Sequence, residues 1–419
     1  PEMSRGLGDV YKRQDENSTV MLIDLDNFKN INDSYGHNNG DRLLKEIGNF
    51  FVAFAENNQK LSIFRFGSDE FVVLLRDQDQ TEIDEICKKI HNKFNSEWQI
   101  ANSSCYCTCS MGVAKFPKLD DTVNTVLKRI DLAISYAKKQ GKNCTINYNE
   151  TIGRILSRQI DLERLMHKDI TNGFAHFSAY YQPIFSSSEK KLVGCEALMR
   201  WNPPEFGQVS PAEFIPMAER LGYINLLGEN IIMIAGRQCK KWADAGLDLR
   251  MNINLSVGQI IEPDFLDKID TIFDETGAPP DKICFEVTES LAIHDMEKMK
   301  ELLKHITDKG VKIALDDFGT GYSSLNCIKE MPLNTIKIDK SFIDDIAKNP
   351  DTAVFVKMIV NLSHDLHIAV CAEGVEEQVQ FDILRDLETD VIQGYYFGRP
   401  MPSDKFEEKF LSEKLQSVK

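Results

Sequence analysis

The chain has 419 residues, 42% of them hydrophobic and 27% charged, and a formal net charge of −16 at pH 7. Such a length predicts two domains, and the composition is that of a globular protein. The negative charge argues against a protein that binds the nucleic-acid backbone, because such proteins carry basic stripes. It does not exclude an anionic small ligand, since bound metal ions reverse the local field.

Ten cysteines are present, without the spacing of a disulfide framework or a zinc site. Cys105, Cys107 and Cys109 are clustered, and strand alternation predicts three reduced thiols on one face of a strand. No apolar run approaches the length needed to span a bilayer, and no stretch has the pattern of a signal peptide. We therefore expect a cytoplasmic protein with no membrane or nucleic-acid partner in this segment; an upstream sensory or membrane domain stays open.

The first residues of the chain carry no periodicity. Residues 1–14 show neither helical nor strand spacing, whereas residues 18–24 already have the pattern of a central strand. We interpret residues 1–17 as a foreign or truncated leader and expect the natural protein to begin earlier.

Residues 18–150 alternate short strands with amphipathic helices, which predicts a first α/β domain. Runs over residues 61–66 and 71–75 flank a tight turn and indicate a hairpin. The spacing of apolar residues predicts helices over residues 41–54 and 121–140.

A charged amphipathic helix is predicted over residues 151–169, where apolar residues recur at helical spacing. We expect it to link the first domain to a second one over residues 170–412.

In the second domain, seven strand-like apolar runs each end in a polar residue that can hold a divalent metal or its water. The runs are residues 194–198, 251–254, 283–286, 313–317, 336–339, 370–373 and 391–393. Their separation suits strand-plus-helix units, and a barrel of parallel strands brings such strand ends together on one face. Four carboxylates, an amide and a lysine would converge there. The sequence therefore predicts a site with oxygen ligands, which favours Mg²⁺ or Mn²⁺ over zinc.

An ordered set of motifs in this domain resembles the EAL family, the phosphodiesterases that hydrolyse cyclic di-GMP. The matching stretches are residues 181–184, 195–201, 254–256, 286–290, 316–325, 336–339, 372–376 and 393–395. Any one of these motifs is weak evidence, but the whole set in this order is specific.

The resemblance implies a two-metal centre, because two ions can supply a hydroxide near neutral pH and neutralise the phosphoryl oxygens. Its ligands would be Glu196, Asn254, Glu286 and Asp316 for one ion, and Asp316, Asp317 and Glu373 for the other. A structural interpretation stays open for any single position, since lone acidic residues at strand ends are often helix N-caps. Asp316 and Asp317 are also compatible with an ordinary turn.

Lys337 lies between two isoleucines, so strand alternation points it into the barrel, where it needs carboxylate neighbours. The resemblance implies that Lys337 orients the attacking water or stabilises charge, and that Gln393 bonds the same water. The substrate would be contacted by Gln182, Leu198 and Arg200. Arg200, one turn beyond Glu196, would meet a phosphate with its planar donor fork.

Glu289 resembles the glutamate that steadies the loop after Asp317 in this family. A capping role on the following helix fits its position equally well. The resemblance further implies a homodimer formed through this domain.

The first domain resembles the GGDEF family, the diguanylate cyclases, over residues 19–148. The matching stretches are residues 24–37, 40–41 and 65–71. Three departures argue against cyclase activity. Ser68 replaces a glycine of the signature turn, where a side chain reduces the room for a triphosphate. The opening helix of the family is missing before residue 18, and residues 58–61 lack its product-inhibition motif.

What remains of the signature still predicts binding of GTP with Mg²⁺. The positions implied by the resemblance are Asp24 and Asp69 at the metal, Asn32 and Asp41 at the guanine, and Lys138 and Lys142 at the phosphates, with Glu70 as a further GTP-binding residue. Both lysines are predicted on one helix face, four residues apart. A solvated helix end, where the dipole favours cations, is the alternative for this pair.

These inferences predict an α/β protein in which an N-terminally truncated GGDEF-type α/β sandwich precedes an EAL-type (β/α)8 barrel. The expected function is hydrolysis of cyclic di-GMP to pGpG with Mg²⁺ or Mn²⁺, regulated by a degenerate GGDEF domain that binds GTP as an effector. One alternative is a bifunctional enzyme that also condenses GTP. The other is a receptor that binds cyclic di-GMP without cleaving it, which would lack the metal ligands that this sequence retains.

Overall fold

The computed structural model describes residues 18–56, 58, 60–100, 103–116, 122–288, 296–319, 328 and 330–412. The chain separates into two compact units between Arg164 and Leu165. This boundary falls inside a long helix, Glu150–Thr171, which corresponds to the predicted linker helix.

The first unit is built on a sheet with strand order β2-β3-β1-β6-β7. Its strands are β1 Ser18–Leu25, β2 Leu61–Arg65, β3 Glu70–Arg76, β6 Cys109–Phe116 and β7 Thr145–Asn147, and a separate pair is formed by β4 Trp98–Ile100 and β5 Ser103–Cys105. Its helices are α1 Phe28–Tyr35, α2 His37–Glu56, α3 Gln80–Phe94, α4 Val123–Lys139 and α5 Glu150–Thr171. Both faces of β1 are buried, because Met21 and Ile23 enter one hydrophobic cluster and Val20 and Leu22 another. This is the predicted α/β sandwich.

The predicted hairpin is present, since β2 and β3 pair antiparallel. The helix expected over residues 41–54 is α2, which begins earlier. The prediction that three cysteines share a strand is wrong: Cys105 ends β5 and Cys109 begins β6. The chain must turn between them because the two strands belong to different sheets. All three thiols are nonetheless buried and free of disulfides.

Among the described residues of the second unit, eight strands close a barrel in the order β10-β11-β12-β13-β14-β15-β8-β9. They are β8 Phe177–Ser186, β9 Leu192–Trp201, β10 Arg250–Asn254, β11 Ile283–Thr288, β12 Lys312–Phe318, β13 Thr335–Ile338, β14 Ala369–Ala372 and β15 Val391–Gln393. The helices are α6 Pro211–Leu221, α7 Ile224–Asp244, α8 Val257–Ile260, α9 Phe265–Thr276, α10 Met296–Asp308, α11 Lys340–Asp345, α12 Pro350–Asp365, α13 Gln378–Asp386 and α14 Ser403–Phe406, with a 3₁₀ turn Pro280–Lys282 and a π turn Glu407–Leu411. No helix in the described parts of the chain is long and apolar enough to cross a membrane.

The barrel differs from the expected all-parallel arrangement at one strand. β8 runs antiparallel to both of its neighbours, β9 and β15. Only residues 187–191 join β8 to β9, and parallel strands need a crossover of a dozen residues or more. A hairpin is therefore the only connection that this segment allows.

Alternation along the barrel strands separates two environments. Ile336 and Ile338 belong to the hydrophobic cluster that packs under the helices, and Lys337 between them is buried on the other side. The strand therefore turns its lysine into the barrel, as alternation predicts.

Candidate active site

The interior of the barrel holds a lysine surrounded by carboxylates. Lys337 Nζ lies 2.6 Å from Glu373 Oε1, 2.7 Å from Glu286 Oε2, 3.2 Å from Asp316 Oδ1 and 3.8 Å from Glu196 Oε2. The side chain of Lys337 is 1% exposed and that of Glu286 is 0% exposed. These carboxylates come from β9, β11, β12 and the residue after β14, so closure of the barrel assembles them.

Four carboxylates around one ammonium leave an excess of negative charge in a buried place. Burial, together with repulsion from Glu196, raises the pKa of Glu286 well above its usual range. Burial also raises the pKa of Glu373, to about 8, although Lys337 opposes the shift. Burial would raise the pKa of Glu196 as well, but Lys337 and two amides lower it overall. The protein groups alone do not neutralise this cluster.

A divalent cation fits the charge and the donor atoms present. One oxygen from each of Asp316, Asp317 and Glu373 lies within 4.8 Å of the other two. Carboxylate and amide oxygens are the ligands that Mg²⁺ and Mn²⁺ prefer. The charge and the ligand atoms of the cluster therefore fit the predicted cofactor, Mg²⁺ or Mn²⁺.

The backbone of β12 explains how two adjacent aspartates reach one place. Neighbouring residues of a regular strand point to opposite faces. The pairing of β12 with β13 shifts register between Leu315 and Phe318, and Asp317 adopts a φ of 54°. This irregularity brings the carboxylate of Asp317 close to that of Asp316, and bulges of this kind are common beside active sites.

Side-chain amides fix the carboxylate of Glu196. Asn254 Nδ2 donates to Glu196 Oε1 at 2.6 Å, and Gln393 Nε2 donates to Glu196 Oε2 at 2.5 Å. Gln393 Nε2 also donates to Gln182 Oε1 at 3.1 Å. Because the amide nitrogen of Asn254 is engaged, its oxygen is the atom that remains for a cation.

A cavity of about 270 Å³ opens above this cluster. It is lined by Gln182, Glu196, Leu198, Asn254, Asp316, Lys337, Lys340, Glu373, Gly374, Glu376, Gln393, Gly394 and Tyr395. An adjoining cavity of about 590 Å³ shares Leu198 and Asn254 and adds Arg200 and Asp317. The predicted substrate contacts Gln182, Leu198 and Arg200 therefore line two neighbouring cavities.

The prediction that Arg200 lies one helical turn beyond Glu196 is wrong. Both residues lie in β9, where four residues span about 13 Å. Arg200 Nη1 donates to the carbonyl oxygen of Met199 at 2.8 Å. The arginine lines the adjoining cavity. Burial lowers the pKa of its guanidinium, and the charge of Glu196 opposes that shift.

The first unit gathers several of its predicted nucleotide contacts around the end of β1. Lys138 Nζ lies 2.6 Å from Asp24 Oδ2. Burial raises the pKa of Asp24, although Lys138 opposes the shift. Asp24 also pairs across the sheet with Glu70. In the signature turn, Ser68 Oγ donates to Asp69 Oδ1 at 2.5 Å, so the residue that departs from the signature bonds directly to a predicted metal ligand.

The two predicted phosphate lysines do not share a helix face. α4 ends at Lys139, and Lys142 follows with a φ of 65°, which lies outside helical geometry. Gly141 breaks the helix between the two lysines. Lys142 Nζ instead donates to Asn27 Oδ1 at 2.6 Å.

The predicted guanine contacts lie on neighbouring helices. Asn32 is in α1 and Asp41 is an exposed residue of α2. A Cβ atom placed on Gly40 would come within 1.9 Å of Asn32 Oδ1. Glycine at this position therefore leaves room for the side chain of Asn32 in its observed orientation.

The family models divide the chain in the same way. Residues 164–400 match the model of the EAL domain. The chain belongs to the EAL family. Residues 2–144 match the model described as diguanylate cyclase, GGDEF domain, which makes the chain a GGDEF–EAL tandem protein. This second match includes part of the segment predicted as a leader.

Two relatives and a solved structure are similar to the GGDEF–EAL chain. Signaling protein YkoW of Bacillus subtilis (strain 168) is 35% identical over 402 residues, which are 96% of this chain and 50% of that protein. The bifunctional diguanylate cyclase/cyclic di-GMP phosphodiesterase MucR of Pseudomonas aeruginosa is 32% identical over 394 residues, 94% of this chain and 57% of that protein. The chain thus spans little more than half the length of these curated relatives. The structure titled PaMucR phosphodiesterase, c-di-GMP complex, aligns with a TM-score of 0.56 at 35% identity, over 58% of this chain and 99% of that one.

Within the EAL domain, two polar residues have environments that were not predicted from the sequence. Asp339 follows β13, but its side chain accepts a hydrogen bond from Ser341 N at 3.0 Å and caps α11. Asn252 was not among the predicted site residues, yet its Nδ2 donates to Glu286 Oε1 at 2.8 Å. Its signal was the spacing of two asparagines, 252 and 254, on one face of a strand. Glu289 lies outside the described residues.

Proposed function

We propose that the EAL domain hydrolyses cyclic di-GMP to linear pGpG with Mg²⁺ or Mn²⁺ as cofactor. The observation that carries this proposal is the excess of buried carboxylates around Lys337, at the base of a cavity with oxygen donors. Membership of the EAL family, the cyclic di-GMP phosphodiesterases, supports the substrate class. So does the 35% identity to a domain solved with c-di-GMP.

The cofactor would be held by Glu196, Asn254, Glu286, Asp316, Asp317 and Glu373. When bound, divalent ions lower the pKa of water and draw charge from phosphoryl oxygens. Lys337 is placed to stabilise the charge of the carboxylates. An N–H group released from one of these carboxylates could donate to a water or to a developing oxyanion. Loss of Lys337 would leave buried carboxylates without their cation.

Two further side chains have separate roles in this proposal. Within the described residues, Gln393 Oε1 is buried and has no hydrogen-bond partner, so it can accept a hydrogen bond from a water beside Glu196. Arg200 would bind a phosphate of the substrate through its planar donor fork. Because Arg200 lines the adjoining cavity and is not among the groups around Lys337, its proposed role is to hold the substrate.

The test is to incubate the chain with cyclic di-GMP and Mn²⁺, Mg²⁺ or a chelator, and to identify the products by chromatography. We expect pGpG with either metal and intact substrate with the chelator. Intact cyclic di-GMP under all three conditions, with binding retained, would favour a receptor instead.

We further propose that the GGDEF domain binds GTP and regulates the EAL domain without making cyclic di-GMP. The proximity of Asp24, Glu70 and Lys138 supports nucleotide binding, because it places a metal ligand beside a cation. The hydrogen bond between Ser68 and Asp69 supports the loss of synthesis, since a cyclase must align two triphosphates and has less room with a serine in its turn.

We also propose that the EAL domain forms a homodimer through α12. Val354 and Met358, one turn apart on this helix, are 68% and 55% exposed, and together they offer an apolar surface that a second copy of the chain could cover. Sedimentation equilibrium is expected to give a dimer that Met358→Glu dissociates. A parental chain that sediments as a monomer at micromolar concentration would contradict the proposal.

A further inference from the structure

The inner face of β10 carries two amides that reach to opposite sides. β10 lies between β9 and β11, with Asn252 opposite Glu196 and Asn254 opposite Glu286. The side chains cross this register: Asn254 donates to Glu196 at 2.6 Å, whereas Asn252 donates to Glu286 at 2.8 Å. One strand therefore holds a carboxylate on each of its neighbours.

The burial of Asn252 calls for an explanation beyond packing. The residue is 7% exposed, and its Oδ1 has no hydrogen-bond partner in the described residues. Leaving a buried acceptor unpaired costs about 1–3 kcal/mol. A leucine of similar volume would avoid the cost of the unpaired Oδ1, but it could not donate a hydrogen bond to Glu286. The donor atom Nδ2 is therefore the feature of Asn252 that an apolar residue lacks.

Glu286 has two neighbours that stabilise its charge. Lys337 Nζ contacts Oε2 at 2.7 Å, and Asn252 Nδ2 contacts Oε1 at 2.8 Å. Lys337, however, is the cation for four carboxylates at once. Without Asn252, the Oε1 atom of Glu286 would lose the hydrogen bond that fixes its orientation.

We propose that Asn252 is a positioning residue of the metal site, which holds the carboxylate of Glu286 in the orientation that binds a divalent cation. This inference rests on the proposed function, since it assumes that Glu286 is a metal ligand. Loss of a group that hydrogen-bonds to a metal ligand and orients it typically weakens metal binding by about 10- to 100-fold.

The experiment is calorimetric titration of Mn²⁺ into the parental chain and into Asn252→Leu, Asn252→Ala and Asn334→Ala. Asn334 is the matched control: it precedes β13 at the opposite end of the barrel, and its Oδ1 accepts a hydrogen bond from Ile313 N at 2.9 Å. We expect the Kd for Mn²⁺ to rise about 10- to 100-fold in both Asn252 variants and to stay unchanged in the control.

Two more readouts separate positioning from a general structural role. Asn252→Leu removes an unpaired oxygen but also takes the donor from Glu286 Oε1, two changes with opposite effects on stability. It is therefore expected to remain folded by circular dichroism while its Mn²⁺ affinity falls. At saturating Mn²⁺, its kcat is expected to recover to within a few fold of the parental value with an unchanged KM for cyclic di-GMP. Asn252→Ala measures the same quantities should the leucine fail to pack.

Equal Mn²⁺ affinity in the parental chain and the Asn252 variants would overturn the inference and leave the proposed function standing. A parental chain that binds no Mn²⁺ would overturn both. A loss of kcat that saturating Mn²⁺ does not recover would also overturn the inference, because Asn252 would then act in the chemical step.

Discussion

At the scale of single residues, the site depends on how one lysine balances several buried acids. Lys337 lies within 4 Å of Glu196, Glu286, Asp316 and Glu373. Removing an acid would take away a cofactor ligand, whereas removing the lysine would leave the acids repelling each other. The two kinds of change should therefore be distinguishable in solution.

Replacing a predicted metal ligand should abolish hydrolysis while the fold persists. Glu196→Ala and Asp316→Ala are each expected to lower kcat for cyclic di-GMP by more than about 100-fold, because each removes a carboxylate from the cofactor site. Circular dichroism checks the fold, and Glu205→Ala, at an exposed carboxylate outside the cavity, serves as the control. Near-parental turnover in Glu196→Ala would remove this residue from the site.

Lys337 and Arg200 should separate in steady-state kinetics. Lys337→Ala is expected to lower kcat by about 100-fold or more, since the proposed role of the lysine is to stabilise charge that develops during hydrolysis. Arg200→Ala is expected to raise KM by about 10- to 100-fold, as a hydrogen bond to a charged group is worth about 1.5–3 kcal/mol. The reverse pattern would mean that the two roles are assigned to the wrong residues.

At the scale of helices and strands, period-two alternation was the informative signal. It predicted the inward direction of Lys337, and the same rule applied to residues 252 and 254 would have found Asn252. It could not predict the direction of Asp317, because the irregularity that brings this carboxylate to Asp316 depends on the register of β12 against β13. The helical placement of Arg200 and of Lys142 failed for a related reason: local spacing does not reveal where a strand continues or where a glycine ends a helix.

Asp339 follows a barrel strand, as the predicted metal ligands do, but in the structure its side chain caps α11. Its role can therefore be tested separately. Asp339→Ala is expected to lower the free energy of unfolding of the EAL domain by about 1 kcal/mol, the usual value of an N-cap, and to leave kcat within about twofold. Urea denaturation measures the first quantity. Asp339→Ser should restore stability, and a large loss of activity in Asp339→Ala without a loss of stability would assign this residue to the cavity.

At the scale of the whole chain, the proposed regulation requires that GTP binding and hydrolysis be coupled. A ligand shifts an activity only if it binds the active arrangement more tightly, and typical couplings are about 1–3 kcal/mol, or about 5- to 150-fold. The helix α5 is the covalent path for this coupling, since the boundary between the two units falls within it.

GTP is therefore expected to bind the chain in calorimetry and to raise phosphodiesterase activity within that range. Asp41→Ala should abolish both effects by removing a guanine contact, while leaving the activity without GTP unchanged. Chromatography should find no cyclic di-GMP formed from GTP alone. An absence of GTP binding, or the appearance of cyclic di-GMP, would contradict this prediction.

The antiparallel strand β8 decides where the chain enters the barrel. Because β8 runs against its neighbours, its first residue, Phe177, pairs with Trp201 at the last position of β9, on the rim where the parallel strands end. Near the end of α5, Asp169 Oδ2 accepts a hydrogen bond from Trp201 Nε1 at 2.8 Å. In an all-parallel barrel the incoming helix would arrive at the far rim, a full strand length away. The end of α5 thus contacts Trp201, the residue after Arg200, on this rim. The proposed coupling through α5 would therefore reach the barrel on the side of the proposed phosphate contact.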